Sequence, residues 1–90
     1  MYEWDDKKAE DNAAKHGVTF LYAAEIFSDP CLLVWLDTRS NYGEDRYTAL
    51  GMIEGRVYVV VYTIRKGTLR LISARKANTR EVKEYEKIQT

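Results

Sequence analysis

Ninety residues suffice for one domain, residues 1–90, with a modest core, because a chain this short buries only about 60–65% of the surface its unfolded form exposes. Hydrophobic content of 46% with eleven aromatics excludes a disordered chain, and fourteen cations balanced by fourteen acids argue against a simple duplex-DNA binder, which is basic overall. The longest apolar run, Val57 to Ile64, cannot span a bilayer, the N-terminus lacks the apolar core of a signal peptide, and the lone Cys31 allows no internal disulfide, so the expected location is a reducing cytoplasm with no membrane partner.

Tyr2 to Trp4 reads as a short edge strand. Asp5 is a good N-cap, and the Ala-, Lys- and Glu-rich stretch Lys7 to His16 predicts a helix that Gly17 ends in a left-handed conformation. Thr19 caps a second helix. Its apolar stripe is Phe20, Ala23, Ala24 and Phe27, and Asp29-Pro30 breaks it. The periodicity then changes to strands: Leu32 to Asp37, a turn-rich loop from Thr38 to Gly43, Asp45 to Ile53, a turn at Glu54-Gly55, and Arg56 to Arg65. That third strand carries Val57, Val59 and Val61 on one face and Tyr58, Val60 and Tyr62 on the other, as a central strand does. Lys66-Gly67 turns the chain into Thr68 to Arg75. Strict alternation there puts Leu69, Leu71, Ser73 and Arg75 on one face and Arg70, Ile72 and Ala74 on the other. Asn78-x-x-Glu81 resembles a capping box and opens a final helix with Val82, Tyr85 and Ile88 as its apolar face. The expected fold is α+β: a four- to five-stranded, mainly antiparallel meander sheet with two N-terminal helices and one C-terminal helix, packed mainly on one face.

Charge is unevenly spread. Residues 1–50 hold five Lys/Arg and ten Asp/Glu, and residues 51–90 hold nine and four, so a basic surface is expected from the C-terminal half. The single His16 ends the first helix, where the dipole favours an imidazolium, with Lys15 beside it. Lys8, Asn12 and His16 are spaced i, i+4, i+8 and share a face, either a solvated stripe or one wall of an anion site. Arg65, Arg70 and Arg75 bracket the last hairpin. As single residues Arg65 and Arg75 fit strand-end ion pairs with Glu44, Asp45 or Glu81; as a group the three fit a phosphate site, since guanidinium forks bind phosphate oxygens bidentately. Tyr42, Tyr47, Tyr58 and Tyr62 are candidates to stack on bases. One His and one Cys make no zinc site, the acids Asp5, Asp6, Glu10 and Asp11 read as an exposed helix face, and no glycine-rich phosphate loop or nucleophile elbow occurs. No metal or other cofactor is expected.

Two groups of residues resemble the BrnT family of toxins. The first is Trp4-Asp5, Lys8, Asn12, Lys15-His16-Gly17, Phe20, Ala23 or Ala24, and Phe27-x-Asp29-Pro30. The second is Gly43-Glu44-x-Arg46, Gly51, Val61-Tyr62-Thr63-x-Arg65, Arg70-x-Ile72-Ser73-Ala74-Arg75-x-Ala77, Glu81 and Tyr85. Asp6 departs from the pattern, which has proline after Trp-Asp. The resemblance implies a fold similar to RelE-like ribonuclease toxins and a type II toxin that cleaves RNA without metal. It also implies a BrnA-like antitoxin with a ribbon-helix-helix region, and contact with operator DNA only through the toxin–antitoxin complex. Carried onto this sequence, the catalytic residues would be Lys8, His16, Arg65 and Arg75. Tyr62, Arg46 and Ser73 would join Lys15 and Arg70 in holding RNA. The competing reading is a non-catalytic nucleic-acid-binding or protein-interaction module using the same basic face.

Overall fold

The structure, a computed structural model, describes residues 1–38 and 43–87. The elements follow the expected order. Strand β1 (Tyr2–Glu3) precedes helix α1 (Asp6–His16) and a short helix α2 (Phe20–Ala23), which continues as a 3-10 turn over Ala24–Ser28. Strands β2 (Leu33–Asp37), β3 (Arg46–Ile53), β4 (Arg56–Arg65) and β5 (Thr68–Lys76) follow, then helix α3 (Thr79–Lys87). The Asp5 carboxylate accepts from the backbone N–H of Lys7 and Lys8, and Gly17 closes α1 at φ 70°, a backbone state that only glycine adopts without strain. Asn78 and Glu81 form the reciprocal capping box, each side chain accepting from the other's backbone N–H at 2.9 Å. Of the residues assigned from sequence to the loop and to the last helix face, Arg39, Ser40, Asn41, Tyr42 and Ile88 lie outside the described residues.

The sheet has five strands in the order β1-β5-β4-β3-β2. Strands β2 to β5 form the antiparallel meander, with β4 central as its two apolar faces predict. The sheet as a whole is mixed, because β1 pairs parallel to β5 through Tyr2↔Leu69 and Glu3↔Arg70. Strict alternation in β5 fails at one place. Tyr62 pairs with Leu71 but Val61 pairs with Ser73, so Ile72 is an extra residue, a β-bulge. The bulge reverses the parity. Leu71 and Ala74, not Leu71 and Ser73, face the same way, beside Tyr62 and Val60; Ser73 and Arg75 face the other way, beside Val61 and Val59. No composition signal marks it.

The helices also divide between faces, rather than packing mainly on one. The face bearing Ala49, Val60, Tyr62, Leu71 and Ala74 packs on Val18, Phe20, Ala23 and Ile26 of the N-terminal layer. The opposite face carries a smaller core of Leu50, Val57 and Val59 under Tyr85 and Val82 of α3, with Cys31 and Leu33 at its margin. Gly51 permits the first contact, since a Cβ there would lie 2.5 Å from Ile26 Cβ and 3.1 Å from the Ile26 carbonyl oxygen. Asp29 ties the second core together: its carboxylate accepts from the backbone N–H of Cys31 and Met52 and from the Tyr85 hydroxyl.

Candidate functional site

Strand β1 pairs with β5 only at Leu69 and Arg70, so the backbone farther along β5 needs another partner. Asn12 of α1 supplies it. Its side-chain NH₂ donates to the carbonyls of Ala74 (2.8 Å) and Val18 (3.0 Å), and its carbonyl accepts from the Ala74 N–H at 3.1 Å. One amide thus imitates a neighbouring strand and fixes α1 along the sheet edge. On the shared face of Lys8, Asn12 and His16, Asn12 is thus docked and buried, His16 is half-buried and Lys8 is exposed. Lys8, Asp11, Asn12, Lys15 and His16 line a cleft of about 220 Å³ whose other wall is Ile72 and Ser73 at the bulge.

Ser73 is also the end of a row across the sheet. The registers Trp35↔Thr48, Thr48↔Val61 and Val61↔Ser73 align one residue from each of β2, β3, β4 and β5 on the face that carries α3. The adjacent row, Leu33, Leu50, Val59 and Arg75, is roofed by α3 over its apolar members. Between the rows lies a cavity of about 240 Å³, lined by Trp35, Thr48, Val59, Val61, Arg75 and Glu81 among others. Arg75 enters it from β5. Its NH1 and NH2 donate to the two Glu81 carboxylate oxygens at 2.8 Å each, and Glu81 is itself held by the Asn78 N–H. The arginine is 38% exposed and its carboxylate 17%, so the guanidinium is aimed by a fixed acid while its outer edge meets solvent.

The predicted cations do not gather in one place. Lys8, Lys15 and His16 share the α1 cleft with Ser73, and Arg75 shares the neighbouring cavity with Val61, the register partner of Ser73. Arg65 stands on the same sheet face but six residues beyond Val59, the partner of Arg75, which is ~20 Å along the strand. There it binds Glu44 at 3.0 Å, with Arg46 against the same carboxylate at 3.6 Å. Arg70 pairs with Glu3 at 2.9 Å and staples β1 to β5. The ion-pair reading thus describes Arg65 and Arg75 individually, while Arg70 pairs with Glu3, an acid that reading did not name.

Tyr62 lies on the other face altogether. It is 7% exposed, stacked on Tyr47 at 5.4 Å and met edge-on by Phe27 at 5.3 Å. Burial first, and the neighbouring Tyr47 second, push its hydroxyl's pKa up. Its ring is core and offers no face to a base. Tyr58 is likewise 7% exposed and met edge-on by Tyr22. One residue lining the cavity escapes the sequence reading. Trp35 gives no signal of its own, because Val34, Trp35 and Leu36 are all apolar and alternation cannot choose a face. The clamp on Arg75 is legible in the sequence, where Glu81 is both capping-box residue and ion-pair candidate.

Among the described residues, no three His, Cys, Asp or Glu side chains converge as a metal-ligating group, and no helix is long and apolar enough to cross a membrane. Residues 4–81 match the model of a protein family described as the ribonuclease toxin, BrnT, of type II toxin–antitoxin systems. No curated protein matches the chain.

Proposed function

Because this chain belongs to the BrnT family of ribonuclease toxins of type II toxin–antitoxin systems, we propose that it cleaves RNA without metal at the junction of the two clefts. The observation that carries this reading is the seam at Ser73. On one side of it the α1 cleft holds Lys8, Lys15 and His16; on the other, one register step away, Arg75 points into the sheet cavity. RNA brings its own nucleophile, the 2′-OH. The protein has to take its proton, stabilise the phosphorane and return a proton to the departing 5′-oxygen. His16 and Lys8 are the groups for the two proton transfers. Arg75 is the charge stabiliser, its fork oriented in advance by Glu81. Arg65, Arg46 and Lys15 serve as backbone contacts along the strand's path, and Tyr62 supports the sheet from beneath.

The same family membership places RNA and an antitoxin among its partners. We read that antitoxin as BrnA-like, with a ribbon-helix-helix region that carries the complex to operator DNA, the architecture as RelE-like, and the working compartment as the cytoplasm. Purified protein incubated with total RNA in EDTA tests the core of the proposal. Fragments ending in 2′,3′-cyclic phosphate are expected. Intact RNA across the pH range, from protein shown to be folded, overturns it in favour of a binding module.

A further inference from the structure

The open half of the sheet presents one large aromatic that the cleavage chemistry leaves unused. Trp35 is 42% exposed on β2, an edge strand of the sheet. The roof formed by α3 reaches Leu33 and Leu50 in the adjacent row and stops there. Trp35 heads the row that ends at Ser73, three interstrand spacings away, or ~14 Å. The cavity between them is lined by the aliphatic Val59 and Val61, by Thr48, by Arg75 with Glu81, and by the buried Asp37 on β2. An indole flank, an aliphatic floor and a guanidinium opposite form the combination that holds single-stranded nucleic acid, with the base plane on the ring and the phosphate on the cation.

We propose that Trp35 is a nucleobase platform: the RNA strand crosses the sheet from the α1 cleft to the β2 edge, and a base flanking the scissile phosphate stacks on the indole. The proposal rests on the ribonuclease reading for the identity of its ligand, but on none of the roles given to His16 or Lys8. It has two consequences. Stacking accepts any base, because every base has a π-face, so this position contributes affinity with little sequence preference. The Arg75 contact makes that affinity fall with salt.

The chain has two tryptophans, and Trp4 sits edge-on to Phe20 at 6.0 Å in the N-terminal core. A Trp4→Phe variant therefore leaves Trp35 as the only indole. Its fluorescence is titrated with a short 2′-O-methyl oligoribonucleotide, which lacks the nucleophile and stays intact. Saturable quenching is expected. In the native background, Trp35→Leu should weaken binding of the same oligonucleotide about 5- to 150-fold, and Trp35→Phe, which keeps a ring, by no more than about threefold. Melting curves confirm that each variant is folded, and the quenching measurement needs no change at Trp35. Absence of quenching, or a Trp35→Leu variant that binds like the parent, overturns the platform. So does a Trp35→Leu variant that keeps its oligonucleotide affinity and loses only its antitoxin, since the surface is then a protein contact. Cleavage of unmethylated RNA by the native chain is scored separately. Quenching without cleavage removes the enzyme and leaves the platform; cleavage with no effect of Trp35→Leu on KM does the reverse.

Discussion

Val61 and Tyr62 are neighbours in β4 and meet opposite environments. Tyr62 is closed in by Phe27 and Tyr47 under the N-terminal helices; Val61 floors a cavity open to solvent. The face with α1 and α2 is covered over its centre, with Val34, Leu36 and Ile64 exposed at its margins, and tolerates one buried polar side chain, Asn12, because every hydrogen-bonding arm of that amide that the structure pairs is spent on backbone. The other face is covered by α3 at one end; in the row beyond it Trp35 is exposed, Ser73 is half-buried and Thr48 is buried, and Arg75 is held beside that row by Glu81 of α3. The same alternating strands thus build the larger core on one side and a partly open row on the other. A substitution's effect on folding or on activity should follow its face rather than its distance along the chain.

The strongest test of that division is Asn12→Ala. It leaves the Ala74 N–H and carbonyl and the Val18 carbonyl without their partner in a buried setting, at a cost of roughly 3 kcal/mol. For a domain of this size the melting temperature should fall by more than ~10 °C. A variant that melts within a few degrees of the parent would show that α1 is held by its apolar contacts alone.

Next in size is the contrast between two arginines on the open face. Arg75→Ala should lower RNA cleavage by roughly 10²-fold, the usual scale for losing a charge stabiliser, and His16→Ala by a similar factor as an acid–base group. Neither should shift the melting temperature by more than about 4 °C, about what losing one partly exposed side-chain contact costs a small domain. Arg65→Ala, ~20 Å along the strand, should reduce cleavage only a few-fold. Equal losses from Arg65→Ala and Arg75→Ala would break the assignment of the reacting phosphate to the Ser73 end of the face.

The smallest effect concerns acid, and it belongs to the α3 side. Burial alone would push the Asp29 carboxyl up, but the hydrogen bonds from the Tyr85 hydroxyl and from the Cys31 and Met52 N–H groups outweigh it and hold the carboxyl below its ordinary value. A depressed folded pKa stabilises the native state fully above the unfolded value of about 3.9, and that contribution is lost as pH falls through the folded pKa. Asp29→Asn should therefore cost about 1–2 kcal/mol at neutral pH and flatten the fall in melting temperature below ~pH 4. An unchanged acid profile in the variant would mean that other carboxylates govern acid unfolding.

Much of this molecule is written in local sequence. Asp5 and Gly17 bound α1, Asn78 and Glu81 open α3, and two-residue turns set the β3–β4–β5 hairpins, because capping and turn geometry act over a few residues. Apolar residues on both faces likewise marked β4 as central. The local sequence also located Lys8, Lys15 and His16 on one helix and Arg75 in the last strand. What it did not determine was which of these meet. A bulge at Ile72 puts Ser73 and Leu71 on opposite faces, and one extra residue in a strand has no compositional signature. Arg65 and Arg75 are near in sequence and far apart in space, because a hairpin turns between them and each pairs at a different level of the sheet. Trp35 faces the cavity only because β2 joins β3 in a register that sets it opposite Thr48. Register is fixed by non-local strand pairing, and a shift of one residue would have turned the indole to the other side.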